Sequence, residues 1–273
     1  MLAILIQAYF AYGIILTGTG NYNAAFSTMC EGLDIAEKVG EKVYHFRLLN
    51  ALGWLYTECG DLTNALEYNH RSAELAGTID DPEIIANAEL NLADTFLIQE
   101  DFSQSRKYLD KVFRITNDPT TSDWMKWRYR IHLFASFAEF WLANGNLSKA
   151  EEFAQQCLTE AKKTASLKYL VKGMRVMGEI GFARGELDIS QGWLQQAVSA
   201  ARTLGNPTQL YKAYHAMGML QEKARNTELT QNAYQSALQV VNNVRNNLHD
   251  SDLGGSFENL PLVEQVVDAG SRI

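Results

Sequence analysis

Apolar and small residues recur along the chain with a period of 40, and within each period their spacing is helical rather than alternating. A small residue preceded by a large apolar one occupies the same register six times, at Gly13, Gly53, Ala93, Ala138, Gly178 and Gly218. A second small residue follows twelve positions later each time, at Ala25, Ala65, Ser105, Ala150, Ser190 and Thr230. The pattern predicts six similar helical units.

A turn signal lies between the two small residues of every unit, at Gly20-Asn21, Gly60-Asp61, Glu100-Asp101, Gly145-Asn146, Gly185-Glu186 and Arg225-Asn226. Glycine suits the left-handed position after a helix, and Asn or Asp caps the helix that follows. Each unit is therefore predicted to be a helical hairpin, with ranges 6–45, 46–85, 86–130, 131–170, 171–210 and 211–250. Five extra residues between the third and fourth units coincide with the polar segment 117–122, which predicts a longer loop or a hinge.

Glycine within a helix costs about 1 kcal/mol relative to alanine, so its recurrence at one register indicates a packing requirement. We expect the two helices of each hairpin to cross closely at the first small residue. The pattern stops after Asn246. Residues 249–255 are predicted to form a loop, and 251–273 to form a C-terminal cap whose apolar part is 260–267.

The first helix is apolar on nearly every side, and the first charged residue of the chain is Glu31. Gln7, Tyr9 and Tyr12 interrupt the apolar run, so neither a secretory signal nor a membrane span fits, and no membrane association is predicted. An outer helix should show a polar face. We therefore expect either a preceding repeat or a second copy of the chain, through self-association, to cover it.

Composition excludes some functions. With a net charge of −8, the chain is not expected to be a general nucleic-acid binder, although a local basic patch is compatible with this balance. The three cysteines are far apart and have no histidine at ligand spacing, so we expect reduced, buried thiols in a cytoplasmic protein and no metal site. No hydrolase, metalloprotease or kinase motif is present, so neither an enzymatic role nor a cofactor is predicted.

The small residue, the Gly-Asn/Asp turn and the second small residue together resemble the tetratricopeptide repeat family. The 40-residue length, with segments such as 49–56, 124–130 and 204–207, is similar to the sensor regions of bacterial signalling ATPases of the maltose-regulator type or linked to adenylate cyclases and kinases. The resemblance implies an all-α fold, an α-α superhelix (TPR-like solenoid). It also implies a non-catalytic scaffold for protein interaction or ligand sensing. The alternative is the C-terminal regulatory part of a multidomain signalling enzyme.

In such a solenoid the first helix of each hairpin lines the concave face. Side chains six before, three before and one after the first small residue are expected to form its outer, middle and third rows. The candidate binding residues among them are Arg47, Asn50, Trp54, Asn87, Asp94, His132, Glu139, Lys172, Arg175, Glu179, Lys212 and His215. The other members are Gln7, Phe10, Ile14, Leu90, Ala135 and Met219.

Trp54 is expected to be exposed, and Lys172, Arg175 and Lys212 to gather positive charge for a carboxylate- or phosphate-bearing partner. The alternative is internal pairing, because Arg175 and Glu179 stand at i,i+4 on one helix. The expected partner is a protein or peptide, or a small polar ligand. A separate aromatic cluster is expected to lie mostly in the core, and its members are Trp124, Trp127, Tyr129 and Phe134.

Overall fold

The computed structural model describes residues 2–79, 81–248 and 252–272, and every regular element in those ranges is an α-helix. The first twelve are α1 (Leu2–Gly18), α2 (Tyr22–Val39), α3 (Lys42–Glu58), α4 (Leu62–Gly77), α5 (Pro82–Ile98), α6 (Phe102–Asn117), α7 (Asp123–Ala143), α8 (Leu147–Lys163), α9 (Leu167–Arg184), α10 (Leu187–Leu204), α11 (Pro207–Lys223) and α12 (Thr227–Leu248). Two shorter helices follow, α13 (Asp252–Glu258) and α14 (Pro261–Ser271). The predicted all-α class is confirmed.

The turn inside each hairpin has the backbone geometry that the sequence predicts. Gly60 and Gly145 have φ of 79° and 73°, in the left-handed region. Glu100 and Arg225 occupy the equivalent position with φ of 60° and 61°, so this conformation is imposed even where glycine is absent. The turn is therefore a property of the hairpin rather than of glycine alone.

The helix that follows the turn is capped by a side chain in the second, third and fourth units. Asp61, Asp101 and Asn146 each accept a hydrogen bond from the backbone N–H three residues on. The side chains of Asn21 and Glu186, at the same position in other units, make no such bond. The predicted capping role is thus confirmed for only part of the set.

Four of the glycines at the repeated register lie against a side chain sixteen residues later in the chain. A Cβ on Gly13 would lie 2.5 Å from Met29 Cγ, and one on Gly178 would lie 2.5 Å from Leu194 Cγ. The equivalent contacts in the second and sixth hairpins pair Gly53 with Asn69 and Gly218 with Tyr234. Close crossing is confirmed in these four hairpins, and the side chain at +16 is the one that lies against the glycine.

The odd-numbered helices begin before the predicted hairpin ranges. Five of them start four residues earlier, as α3 does at Lys42 rather than 46, and α7 starts at Asp123 rather than 131. The repeated pattern of small residues does not extend to the first turn of these helices. The start of the helix is instead determined by its N-cap residue: in α3, the Glu41 side chain accepts a hydrogen bond from the backbone N–H of Tyr44. The non-helical loop before α7 spans 118–122.

The C-terminal segment differs from the prediction. Residues 252–255, where a loop was expected, belong to helix α13, and 249–251 lie outside the described residues. The apolar spacing of Leu253 and Phe257 explains the helix, because both side chains are buried on one of its faces. Val263 and Val266 of α14 are also buried.

The chain divides into two compact units. The first comprises Met1–Tyr129 with Asn247–Glu258, and the second comprises Arg130–Asn246 with Asn259–Ile273. In the first unit the leucines of α3 at 48, 49, 52 and 55 are fully buried. In the second, Val176 and Ile180 of α9 pack with Ala138 and Ala154. Each unit therefore has its own core.

The close crossing predicts opposite effects for two Gly→Ala substitutions. We expect Gly178→Ala to lower the free energy of unfolding by about 1–3 kcal/mol, because the added methyl overpacks against Leu194. Gly192→Ala in α10 should raise it by about 0.5–1 kcal/mol, because no atom lies within 4 Å and alanine favours the helix. Urea denaturation of both variants checks this. A similar change in the two would contradict the proposed crossing.

Candidate functional site

The middle row of the expected groove is buried between helices instead of lining an open surface. Its members in the second to sixth hairpins are all buried, and these are Asn50, Leu90, Ala135, Arg175 and His215. This corrects the expectation for the row. The reason is that adjacent odd helices contact one another, as α3 does with α1 and α5, and α9 with α11. Surface access is left to the outer and third rows.

Four asparagine side chains of the first unit form a connected hydrogen-bond network. Asn50 Nδ2 donates to Asn69 Oδ1 at 2.8 Å, and Asn87 Nδ2 donates to Asn50 Oδ1. Asn91 Nδ2 reaches both the Asn50 carbonyl oxygen and Asn69 Oδ1 at 3.4 Å. Asn69 is anchored in turn by donating to the Ala65 carbonyl at 2.8 Å. Of the four, only Asn87 is partly exposed, so it forms the outer end of the network.

Arg47 lies beside this network in an ion pair between α3 and α5. Its Nη2 atom is 2.8 Å from Glu83 Oε1, and the Tyr129 hydroxyl donates to the same oxygen at 3.2 Å. Burial, followed by the Glu83 carboxylate, raises the pKa of Tyr129, so the phenol stays protonated. The side chain of Arg47 is 27% exposed, which leaves part of the guanidinium at the surface.

Trp54 is not the exposed side chain that the sequence predicted. It is half-buried on α3, and its indole Nε1 donates to Glu58 Oε1 at 2.8 Å. Glu58 follows Trp54 by one helical turn, which brings the carboxylate to the indole edge. Asp94, at the same register on α5, is also half-buried.

In the second unit the predicted positive patch is an internal charge network. Lys172 and Arg175 of α9 are both buried. Lys172 Nζ is 3.0 Å from Glu139 Oε2, Arg175 pairs with the other oxygen of Glu139, and Arg175 Nη1 is 2.7 Å from Glu179 Oε2. Two cations therefore balance two carboxylates, which corrects the expectation of free charge and agrees with the internal-pairing alternative.

The remaining candidates of the second unit differ in accessibility. His215 is buried with its ring 5.8 Å from that of Tyr234, and burial lowers the pKa of the imidazole, so it is neutral near pH 7. His132 is half-buried, 5.6 Å from the Tyr169 ring, and Lys212 is half-buried on α11. His215 thus belongs to the core, whereas His132 and Lys212 reach the surface.

The prediction that the aromatic cluster lies in the core is wrong for two of its members. Trp124 and Trp127 are 49% and 40% exposed, while Tyr129 is buried and Phe134 packs against a core cluster. The four-residue N-terminal extension of α7 relative to the other odd helices carries Trp124 beyond the repeated packing register. Helical spacing alone does not show this.

The described side chains favour neither metal binding nor thiol reactivity. Within residues 2–79, 81–248 and 252–272, no group of three or more His, Cys, Asp or Glu side chains could hold a metal ion. Cys59 and Cys157 are buried free thiols, and Cys30 is half-buried. Burial raises the pKa of Cys157 to about 12, which disfavours its reactive thiolate form.

Three residues of the first unit that shape this site were missed from the sequence: Asn69, Glu83 and Asn91. The sequence does contain a signal for Asn69. At the +16 register the other hairpins carry Met29, Leu109, Ala154, Leu194 and Tyr234, so an asparagine there stands out as a polar residue at a buried position. Glu83 and Asn91 showed no comparable periodicity.

Comparisons with known proteins agree on the fold. No protein-family model matches the chain, and no curated protein matches it significantly. Among solved structures, a Rap protein complexed with competence and sporulation factor has a TM-score of 0.67 at 11% identity, covering 100% of this chain and 76% of that one. The apo form of RapI has a TM-score of 0.61 at 11% identity, with 98% and 99% covered.

A third structure, PilF from Pseudomonas aeruginosa, has a TM-score of 0.50 at 12% identity and covers 94% of this chain and 98% of that one. The predicted TPR-like α-α superhelix is thereby confirmed as a fold. The similarity to signalling ATPases stays a prediction. No helix in the described part of the chain is long and apolar enough to cross a membrane.

The internal charge network predicts a stability effect at Arg175. We expect Arg175→Met to lower the free energy of unfolding by about 3 kcal/mol, because it leaves Glu139 and Glu179 without their shared cation. Arg184→Met is the control: its pair with Glu151 joins α9 to α8 nearer the surface and should contribute less than about 1 kcal/mol. Thermal and urea unfolding measure both, and equal losses would show that Arg175 is not part of a buried network.

Proposed function

We propose that this chain is a non-catalytic binding module that holds a protein or peptide segment on helices α3 and α5. The observation that carries the proposal is the half-exposed amide of Asn87, held by Asn50, which is itself held by Asn69. A primary amide both donates and accepts hydrogen bonds, as does the backbone of an extended segment. Because the network orients this amide in advance, binding would cost little side-chain entropy.

Charged and aromatic side chains flank Asn87 in two rows. Arg47 and Trp54 stand at i,i+7 on α3, and Asn87 and Asp94 stand at i,i+7 on α5, so each pair shares a helix face. The two helices are in contact and all four side chains are half-buried. A segment crossing both helices along the outer row would meet the Arg47 cation and the Asn87 amide, and one crossing along the third row would meet Trp54 and the Asp94 carboxylate.

The second unit repeats the arrangement with a different composition. His132, Glu139, Glu179 and Lys212 are partly exposed, and we propose them as the contact residues there. Lys172, Arg175 and His215 instead hold the helices together. The binding role is supported by the Rap structure of similar fold, which is a complex with competence and sporulation factor. Two alternatives rest on the sequence alone. The bound molecule would be a small polar ligand rather than a peptide, or the chain would be the regulatory part of a larger signalling enzyme.

A displayed library of random 12-residue peptides, counterselected against the Arg47→Ala/Asn87→Ala variant, tests the proposal. Peptides that survive should bind wild type at least tenfold more tightly than Asn87→Ala, a difference of about 1.4 kcal/mol. Asn232→Ala, which changes an exposed asparagine of α12, is the matched control and should bind as wild type does. Equal affinity for wild type and Asn87→Ala would place the site elsewhere.

We also propose that the apolar outer face of α1 pairs with a second copy of the chain. Ile4 and Ile15 are 72% and 60% exposed, and they lie on one side of the helix because eleven residues complete about three turns. Leu2, Leu5 and Tyr12 are exposed on the same helix. An apolar surface of this kind marks an association site.

Sedimentation velocity over a range of concentrations checks the pairing. Wild type should form dimers as its concentration rises, and Ile4→Glu/Ile15→Glu should remain a monomer because charge opposes burial of the face. Ile189→Glu, at a 54% exposed position on α10, should behave as wild type. A wild type that is monomeric throughout would rule out self-association through this face.

A further inference from the structure

A positively charged segment stands out in this acidic protein. Residues 106–130 contain seven Lys or Arg and three Asp, so the segment carries +4 in a chain whose net charge is −8. It covers most of α6, the loop 118–122 and the first turns of α7, and all of it except Arg130 lies in the first unit. The rest of the chain therefore carries −12 in sum, and the positive charge of this segment would attract an anionic partner.

Two exposed indoles lie at the α7 end of this segment. Trp124 and Trp127 pack edge to face with ring centroids 6.5 Å apart and an interplanar angle of 84°. Met125 and Tyr129, on the opposite side of the helix, are the residues buried in the core. Exposed tryptophans contribute disproportionately to binding when a partner desolvates them, so this pair offers an anchor site rather than a packing element.

Three of the basic side chains form ion pairs with carboxylates of the same chain. Arg106 pairs with Asp110, Lys111 with Glu89, and Lys126 with Asp123. Lys107, Arg114 and Arg128 are exposed, and within the described ranges no carboxylate lies within the 4.0 Å of an ion pair from any of them. Their contacts are with Gln104 and the Tyr108 ring, with the Asp110 carbonyl, and with the Tyr129 ring. These three cations are available to an outside carboxylate.

The loop brings the basic and aromatic parts together. Thr121 Oγ1 donates to the Ile115 carbonyl at 2.8 Å, which ties the loop to the last turn of α6, where Arg114 lies. Trp124 follows Thr121 by three residues, so its Cα is within about 11 Å of the Thr121 Cα. Arg128 stands one helical turn after Trp124, and Lys107 stands two turns before Arg114 on the same face of α6.

We propose that Trp124, Trp127, Arg114, Arg128 and Lys107 form a second docking surface, separate from the α3/α5 site, for an acidic protein segment with an apolar anchor side chain. The indoles receive the anchor and the cations pair with Asp or Glu beside it. A protein segment fits better than a nucleic acid because three available cations neutralise few phosphates while the rest of the chain repels the polyanion.

Selection from the displayed 12-residue library, counterselected against Trp124→Ser/Trp127→Ser, tests this surface. The enriched peptides should carry an excess of Asp and Glu around at least one large apolar residue. Their affinity should fall at least tenfold for Trp124→Ser/Trp127→Ser and several-fold for Lys107→Glu/Arg114→Glu/Arg128→Glu, and should weaken as salt is added. Because all these side chains are exposed, circular dichroism and thermal melting should match wild type.

Two controls separate this site from the others. Leu229→Ser, at a 49% exposed position on α12, and Asn87→Ala should both bind the enriched peptides as wild type does. Enrichment of neutral or basic peptides, or no enrichment at all, would overturn the proposal. So would binding of a 20-residue oligothymidylate that the triple charge reversal abolishes, or a dimer of the chain that the tryptophan variant abolishes, because these would identify a nucleic acid or a second copy as the occupant.

Discussion

Four of the six hairpins depend on room in the first helix for a side chain that comes from the second helix, sixteen residues later in the chain. Met29, Leu194 and Tyr234 occupy the space that a Cβ would take at Gly13, Gly178 and Gly218. The approach fixes how far apart the two helices lie, and the tight left-handed turn is what allows the chain to return at that distance. Even Glu100 and Arg225 adopt the turn, which costs a non-glycine residue of the order of 1 kcal/mol.

The same constraint shapes the candidate binding site. In the second hairpin the residue inserted against Gly53 is Asn69, so an amide is buried where other hairpins bury a hydrophobic side chain. A buried amide must find hydrogen-bond partners. It finds them in Asn50 and Asn91, and through Asn50 the network extends outward to Asn87. A packing requirement in the hairpin thus leads to an oriented polar group near the surface.

The repeat made the fold predictable, because helix period, turn residues and small residues all pointed to the same register. Burial of the site was less predictable. The register gives the side of the helix on which Arg175 lies, but it does not show that the neighbouring odd helix covers that side. The predictions for two tryptophans were wrong for a related reason: Trp54 was expected to be exposed and is half-buried, whereas Trp127 was expected in the core and is exposed. The exposure of a large side chain depends on its neighbours in space. Burial and the partners of charged groups are properties of tertiary packing.

A double-mutant cycle on Gly178 and Leu194 tests the insertion most directly. In wild type, adding a methyl at 178 overpacks the crossing. With Leu194 truncated to alanine, the same methyl should enter vacant space, and Gly178→Ala should become neutral or stabilise by about 0.5–1 kcal/mol through helix propensity. A loss of stability on Gly178→Ala that is the same in both backgrounds would contradict the account, because it would mean that the glycine does not make room for this side chain.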